Sequence, residues 1–245
     1  MNIEIISNDD RYLILNKLLL DEGYSSKASS KINKSTDVAI LSVRNEFSDD
    51  EMKEIFKNAK KELIVFSGNK ERIKKFFSGE VIDYSNNESF LQKNAYLTAE
   101  AMVSVFHSET KEKIQGKKIL VCGYGRIGKD LSKIFSSLGA IIYVYARRNE
   151  IKLEVERDGY TPVALDDFSS YDAIFNTVPY PIFDDEKMFK ISKKTCIFDL
   201  ASVCGFENKE RVKFALGLPG KIMPCEAAKV IYEAIKPLIS LERTI

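Results

Sequence analysis

"VCGYGRIGKD", residues 121–130, holds three glycines in the spacing G-x-G-x-x-G, and the fold turns on whether this is a ligand-binding turn or only a turn. The spacing alone is weak, because chance produces it in a chain of ordinary composition. Its surroundings decide. The apolar run "KKILV" (117–121) precedes it, the helical stretch "IGKDLSKIFSSLG" (127–139) follows, and a second apolar run, "IIYVYAR" (141–147), comes next. Strand, glycine turn, helix and strand in that order make a βαβ unit. In such a unit the first glycine allows the tight turn, the second lets the backbone approach a pyrophosphate, and the third lets the helix sit close to the strand. Gly123, Gly125 and Gly128 take these places, with Tyr124, Arg126 and Ile127 completing the turn. Phosphates would lie on free N–H groups at the helix N-terminus, where the helix dipole also favours negative charge.

The residues after the second strand bear on which dinucleotide is bound. An acid there would accept hydrogen bonds from the ribose hydroxyls of NAD, but the sequence places Ala146, Arg147 and Arg148 at this point. A guanidinium pairs with a 2′-phosphate through two parallel hydrogen bonds, and no carboxylate stands at the strand end to repel it. NADP is therefore expected, with NAD as the alternative. Two arginines capping a strand in solvent is the other reading and stays open.

Working outward, β-rich apolar runs alternate with helical stretches along the whole chain, the pattern of parallel sheets covered by helices. The fold class expected is α/β, with two doubly wound parallel-sheet domains, the second a Rossmann dinucleotide-binding domain, joined by a long linker helix. The expected boundaries are 1–90 for a substrate or partner domain, 91–115 for the linker helix, 116–225 for the Rossmann domain and 226–245 for a C-terminal helix returning to the first domain. Four strands are read before residue 86, in "IEIIS", "VAILSV", "LIVFSG" and "EVIDYS", and at least five in the second domain. "GLPG" (217–220) reads only as a turn.

Two further segments fall at carboxyl ends of strands, where α/β proteins bind ligands. In "NTVP" (176–179), Asn176 and Thr177 are placed to bond the nicotinamide-side ribose, with Val178 and Pro179 shaping the loop; an ordinary polar turn is the alternative. In "DLAS" (199–202), Leu200 and Ala201 are assigned to the cofactor and Ser202 to the substrate. Arg11 and Arg44 follow strands of the first domain and are candidates for an anionic substrate, with simple solvent exposure equally open.

Composition excludes other classes. The chain has 245 residues, 44% of them hydrophobic, and its 37 basic residues are scattered among 36 acidic ones, so no nucleic-acid footprint forms. No apolar run approaches a membrane span and the start lacks a signal-peptide pattern, so a cytoplasmic protein is expected. Four cysteines without a C-x-x-C pair and the single His107 predict reduced thiols and no metal site.

Taken together, "LVCGYGRIGKDLSKIFSSLGA", "VYARR", "IFNTVP", "IFDLAS" and "GLPGKIMPCEAAKVI" resemble the A subunit of dipicolinate synthase, the pyridine-nucleotide-binding subunit of the enzyme that makes the spore metabolite dipicolinate. "SNDDRYLILNKLLLDEGY" and "YLTAEAMVSVF" extend the resemblance over almost the whole chain. The departures are Cys204 where that family has proline, Glu226 and Ala228 in "MPCEAA", and a shorter first domain. The resemblance implies oxidation of dihydrodipicolinate, from the lysine and diaminopimelate branch, to dipicolinate. Hydride would pass to NADP, the small-molecule substrate is a dicarboxylate, and the partner is a flavoprotein-like B subunit. It leaves room for a homo-oligomer and identifies no catalytic residue. A D-2-hydroxyacid dehydrogenase is the runner-up; that family needs an arginine after the fifth strand and a later histidine, whereas "DLASVCGFEN" has no arginine and no histidine follows His107. A non-catalytic NAD(P)-binding subunit is the third reading.

Overall fold

The computed structural model describes residues 1–42, 47–166, 168 and 170–242, with the side chains of 241 and 242 excepted. They divide into two compact units, Met1–Asn94 with Pro219–Ile245, and Ala95–Leu218.

The first unit is built on β1 (Asn2–Ile6), β2 (Ser25–Ala28), β3 (Val38–Leu41), β4 (Ile64–Ser67) and β5 (Glu80–Asp83), all parallel in the order β2-β1-β3-β4-β5. Alternation along the strands makes two cores. Ile3, Ile5, Val38, Ile40 and Phe66 face one side, where Tyr12, Leu15 and Leu19 of α1 (Asp10–Asp21) meet Ile231, Ile235 and Ile239 of α9 (Pro224–Glu242). Ile6, Ala39, Leu41 and Val65 face the other, under Met52, Ile55 and Phe56 of α2 (Asp49–Phe56) and Ile73 of α3 (Lys70–Ile73). Two apolar faces per strand explain why "VAIL" and "IVF" read as unbroken hydrophobic runs. Helix starts follow the usual chemistry: Asp9 caps α1, and Ser48 with Glu51 forms a capping box on α2.

Five strands are present where the sequence reading has four. The addition, β2, is "SSKA", a polar edge strand whose side chains carry no apolar period. It is held by its ladder to β1 and by side-chain bonds: Ser26 Oγ donates to Asn16 at 2.7 Å, and Lys27 pairs with Glu4 at 3.0 Å.

Helix α4 (Glu88–Thr110) leads into the second unit. There β6 (Lys118–Cys122), α5 (Arg126–Ser137), β7 (Ile141–Tyr145), α6 (Asn149–Arg157), β8 (Thr161–Val163), β9 (Ala173–Asn176), α7 (Asp185–Lys190), β10 (Cys196–Asp199) and β11 (Val212–Phe214) follow in chain order. The sheet is parallel, in the order β11-β10-β9-β6-β7-β8. This is the Rossmann order, with its reversal of direction between β6 and β9. One face buries Leu120, Ile174 and Ile197 with Phe183 and Phe206; on the other, Phe106, Phe135, Phe175 and Phe198 form an aromatic cluster. The short β11 adds a sixth strand. "GLPG" contributes to a helix, α8 (Leu218–Ile222), not only to a turn: Gly217 is at φ +64°, and Pro219 stands in the first turn, where it costs no hydrogen bond.

Because Ile235 is fully buried between α9 and the first sheet, Ile235→Ala is expected to lower the unfolding free energy of that unit by about 2–5 kcal/mol. The exposed Lys229→Ala should shift it by no more than about 0.5 kcal/mol. Urea titration followed by circular dichroism checks both.

Candidate dinucleotide site

The chain's own packing requires glycine at two positions of the turn and leaves the third open. Gly123 sits at φ +94°, where a side chain is strained, and a Cβ there would lie 2.6 Å from Thr177 Oγ1. At Gly128 a Cβ would come within 2.1 Å of the carbonyl oxygen of Gly123, so α5 reaches this strand end only with glycine at that position. Gly125 is different: a Cβ would meet no atom within 4 Å. It is exposed and is the N-cap of α5, which has no side-chain cap. An open surface over the first N–H groups of a 12-residue helix fits a phosphate.

The rest of the turn is anchored away from that surface. The Tyr124 side chain is buried and its hydroxyl donates to Asp158 Oδ2 at 2.6 Å, next to Tyr160. Burial, then the Asp158 carboxylate, raises its pKa far above the ordinary phenol value, so it stays a neutral donor. Lys129 pairs with Glu154 at 2.6 Å, a second tie from the start of α5 to α6. Arg126 is exposed and Ile127 half-buried.

At the end of β7, Ala146 is buried while Arg147 and Arg148 are exposed. The Arg147 guanidinium carbon lies 4.6 Å from the ring centre of Tyr180, a residue the sequence reading does not single out. Arg148 is the N-cap of α6 and makes no side-chain cap.

The loops after β9 and β10 are locked together by a carboxylate that the sequence reading also passes over. Asp199 is fully buried, and its Oδ1 accepts from Asn176 Nδ2 at 3.0 Å and from the Ala201 N–H at 3.0 Å. Its Oδ2 accepts from the Gly205 N–H at 2.8 Å. Asn176 in turn accepts from the Val178 N–H at 3.1 Å and donates to the Val178 carbonyl at 3.2 Å. Thr177 Oγ1 donates to the Cys122 carbonyl at 2.8 Å. These side chains shape the loop from inside; both Asn176 amide groups and the Thr177 hydroxyl proton are already engaged, and the Thr177 oxygen keeps acceptor capacity. A Cβ at Gly205 would lie 2.2 Å from Asn176 Nδ2. The signal in the sequence is an acid closing a buried strand immediately before "LAS". Leu200 and Ala201 are buried, whereas Ser202 and Pro179 are exposed.

The thiols are free, and burial pushes Cys122, Cys196 and Cys204 above the ordinary thiol range, so they remain protonated; Cys204 donates to the Phe206 carbonyl at 3.4 Å. His107 is exposed on α4, with Nδ1 bonded to the Glu112 carbonyl at 3.0 Å. Among the described residues no group of three or more His, Cys, Asp or Glu could hold a metal, and no helix is long and apolar enough to cross a membrane.

In the first unit Arg11 is 5% exposed, and its guanidinium grips Asp9 with Nε on Oδ1 at 2.9 Å and Nη2 on Oδ2 at 2.6 Å. Gly220 packs so closely that a Cβ there would lie 2.8 Å from Arg11 Nε. Its fork is thus already filled by a carboxylate of the chain itself. Arg44, the other cationic candidate, lies outside the described residues.

Residues 87–198 match the family described as D-isomer specific 2-hydroxyacid dehydrogenase, NAD binding domain, in agreement with the strand order and the glycine turn. The second unit thus has a Rossmann NAD-binding fold, and most of it matches the NAD-binding domain of these dehydrogenases. The chain itself is similar to the A subunit of dipicolinate synthase: it is 28% identical over 158 residues to that protein of Bacillus subtilis (strain 168), a match over 60% of this chain. That match spans about half, 53%, of the curated relative's length. The fold is shared with the dipicolinate synthase A subunit of Bacillus halodurans (TM-score 0.82, 18% identity, 97% of each chain covered). It is shared as well with the dipicolinate synthase A chain of B. subtilis (TM-score 0.79, 21% identity, 100% of this chain and 97% of that one).

The glycine geometry separates binding from folding. Gly125→Val should leave the thermal melt unchanged and abolish dinucleotide binding, because its side chain fills only the space over the helix N-terminus. Gly128→Ala should destabilise the domain by about 1–3 kcal/mol, because helix and strand must move apart. Melting and cofactor titration on the same samples check both.

Proposed function

We propose that this chain is an NADP-dependent oxidoreductase of the dipicolinate synthase A type, oxidising dihydrodipicolinate to dipicolinate together with a flavoprotein-like B subunit. The sequence match to the B. subtilis protein carries this reading. The site's own residues support the cofactor side. The open N-terminus of α5 would hold the pyrophosphate, Arg147 and Arg148 the 2′-phosphate, and the loops fixed by Asp199 the nicotinamide half. When bound, NADP supplies the nicotinamide carbon that takes the hydride.

Aromatisation also requires loss of a ring proton. Both Asp199 oxygens are engaged by N–H donors of the two loops, and burial raises the pKa of the Cys122 and Cys204 thiols, so these thiols stay protonated and do not serve as the base. A partner that brings a base or closes the site accounts for this. With Arg11 turned onto Asp9, Arg44 and the exposed Ser202 remain the candidates for the dicarboxylate. The same reading puts the chain in the cytoplasm and is compatible with a homo-oligomer.

The dehydrogenase match favours a second reading, oxidation of a D-2-hydroxy acid. Against it, "DLASVCGFEN" lacks an arginine and no histidine follows His107.

Two measurements test the proposal. Mixing the chain with a B subunit should raise NADPH formation from freshly generated dihydrodipicolinate well above the sum of the separate rates. Full activity from this chain alone would refute the two-subunit claim, and no activity from any mixture would favour a non-catalytic binding role. In calorimetry, replacing Arg147 and Arg148 together by Glu should cost NADP about 1.5–3 kcal/mol or more of binding and leave NAD little changed. Equal losses for both cofactors would remove the arginine argument.

A further inference from the structure

Arg147 and Tyr180 come from loops that follow non-adjacent strands. β7 ends at Tyr145 and β9 at Asn176, and these strands flank β6 on its two sides. The guanidinium carbon nevertheless lies 4.6 Å from the centre of the Tyr180 ring. The two side chains therefore meet beyond the carboxyl end of β6, the strand that delivers the glycine turn. A lone surface arginine samples many rotamers. A ring under the guanidinium carbon narrows them, and a guanidinium held over a ring by its face would keep its in-plane N–H edge for two parallel bonds to a phosphate.

Tyr180 is itself held. It follows Pro179, whose φ is restricted, and Val178 before that is bonded through both its N–H and its carbonyl to the Asn176 amide. Asn176 is in turn tied to the buried Asp199. A continuous series of bonds thus runs from the β10 end to the ring that faces Arg147. Arg148, by contrast, caps α6 without a side-chain bond.

We propose that Tyr180 is a positioning residue for recognition of the 2′-phosphate: it holds Arg147 with its donor edge toward the ribose, so that preference for NADP over NAD is set jointly by the loops after β7 and β9. The inference rests on the NADP reading above and adds to it a residue outside the glycine turn and the arginine pair.

The test is calorimetric titration of the full chain with NADP and with NAD for the wild type, Tyr180→Phe, Tyr180→Ala, Tyr180→Leu, Arg147→Ala and the double variant Arg147→Ala/Tyr180→Ala. Thermal melts of each sample report folding, and Tyr180→Leu keeps the bulk of the side chain without its π face. Loss of the ring should reduce the ratio of NADP to NAD affinity by about three- to tenfold through NADP alone, while Tyr180→Phe keeps it. In the Arg147→Ala background, Tyr180→Ala should change nothing further. Equal loss of both cofactors, no change in either, or additive effects in the double variant would overturn the positioning role. A wild type that binds NAD at least as tightly as NADP would instead overturn the NADP reading, and this inference with it; that result would show before any variant is made.

Discussion

The second unit depends on the approach of Gly128 to the Gly123 carbonyl, where a single added carbon would sit 2.1 Å from the oxygen. That contact sets the start of α5 against the end of β6. It leaves Gly125 with open space above it and the first N–H groups of the helix without a side-chain cap. Everything around the turn works to keep this arrangement. Tyr124 ties it to Asp158 at the end of α6, Lys129 ties it to Glu154 of α6, and Thr177 bonds to the carbonyl of Cys122, from which the turn departs. A helix N-terminus without a side-chain cap is a place where an anion is favoured.

The buried Asp199 plays the corresponding part at the other side of the switch point. A carboxylate with no exposure is tolerable only when its lone pairs are met, and the Ala201 and Gly205 N–H groups and Asn176 Nδ2 meet them. Breaking one partner would leave a charged group undersolvated, so the loops after β9 and β10 are expected to behave as one body. The first unit repeats the logic with a different result. At its own switch point, between β1 and β3, Arg11 is closed onto Asp9, and the Tyr12 and Tyr84 hydroxyls bond to each other.

The sequence made some of this legible and hid the rest for identifiable reasons. Strands buried on both faces announce themselves as apolar runs, and the glycine turn is recognisable once strand, helix and strand flank it. "SSKA" and "VKF" are short edge strands with exposed positions: the first has no apolar period, and the second alternates over only three residues. The turn-forming look of "GLPG" concealed α8, because glycine and proline mark helix starts as well as loops. At the site, the sequence showed that Asn176, Thr177 and Arg11 stand at strand ends but not which way their side chains turn. That is settled by three-dimensional partners: Val178 and Asp199 for Asn176, Cys122 for Thr177 and Asp9 for Arg11. Tyr180 and Asp199 escaped notice because their roles exist only through residues distant in the chain, Arg147 and Gly205.

The central claim, that the end of β6 is a dinucleotide site read by two arginines, is tested most directly by a crystal structure of the chain soaked or grown with NADP. The pyrophosphate is expected over Gly125, within hydrogen-bond distance of the first N–H groups of α5, and the 2′-phosphate on Arg147. A dinucleotide bound elsewhere, or one whose 2′-phosphate points into solvent away from Arg147 and Arg148, would contradict it.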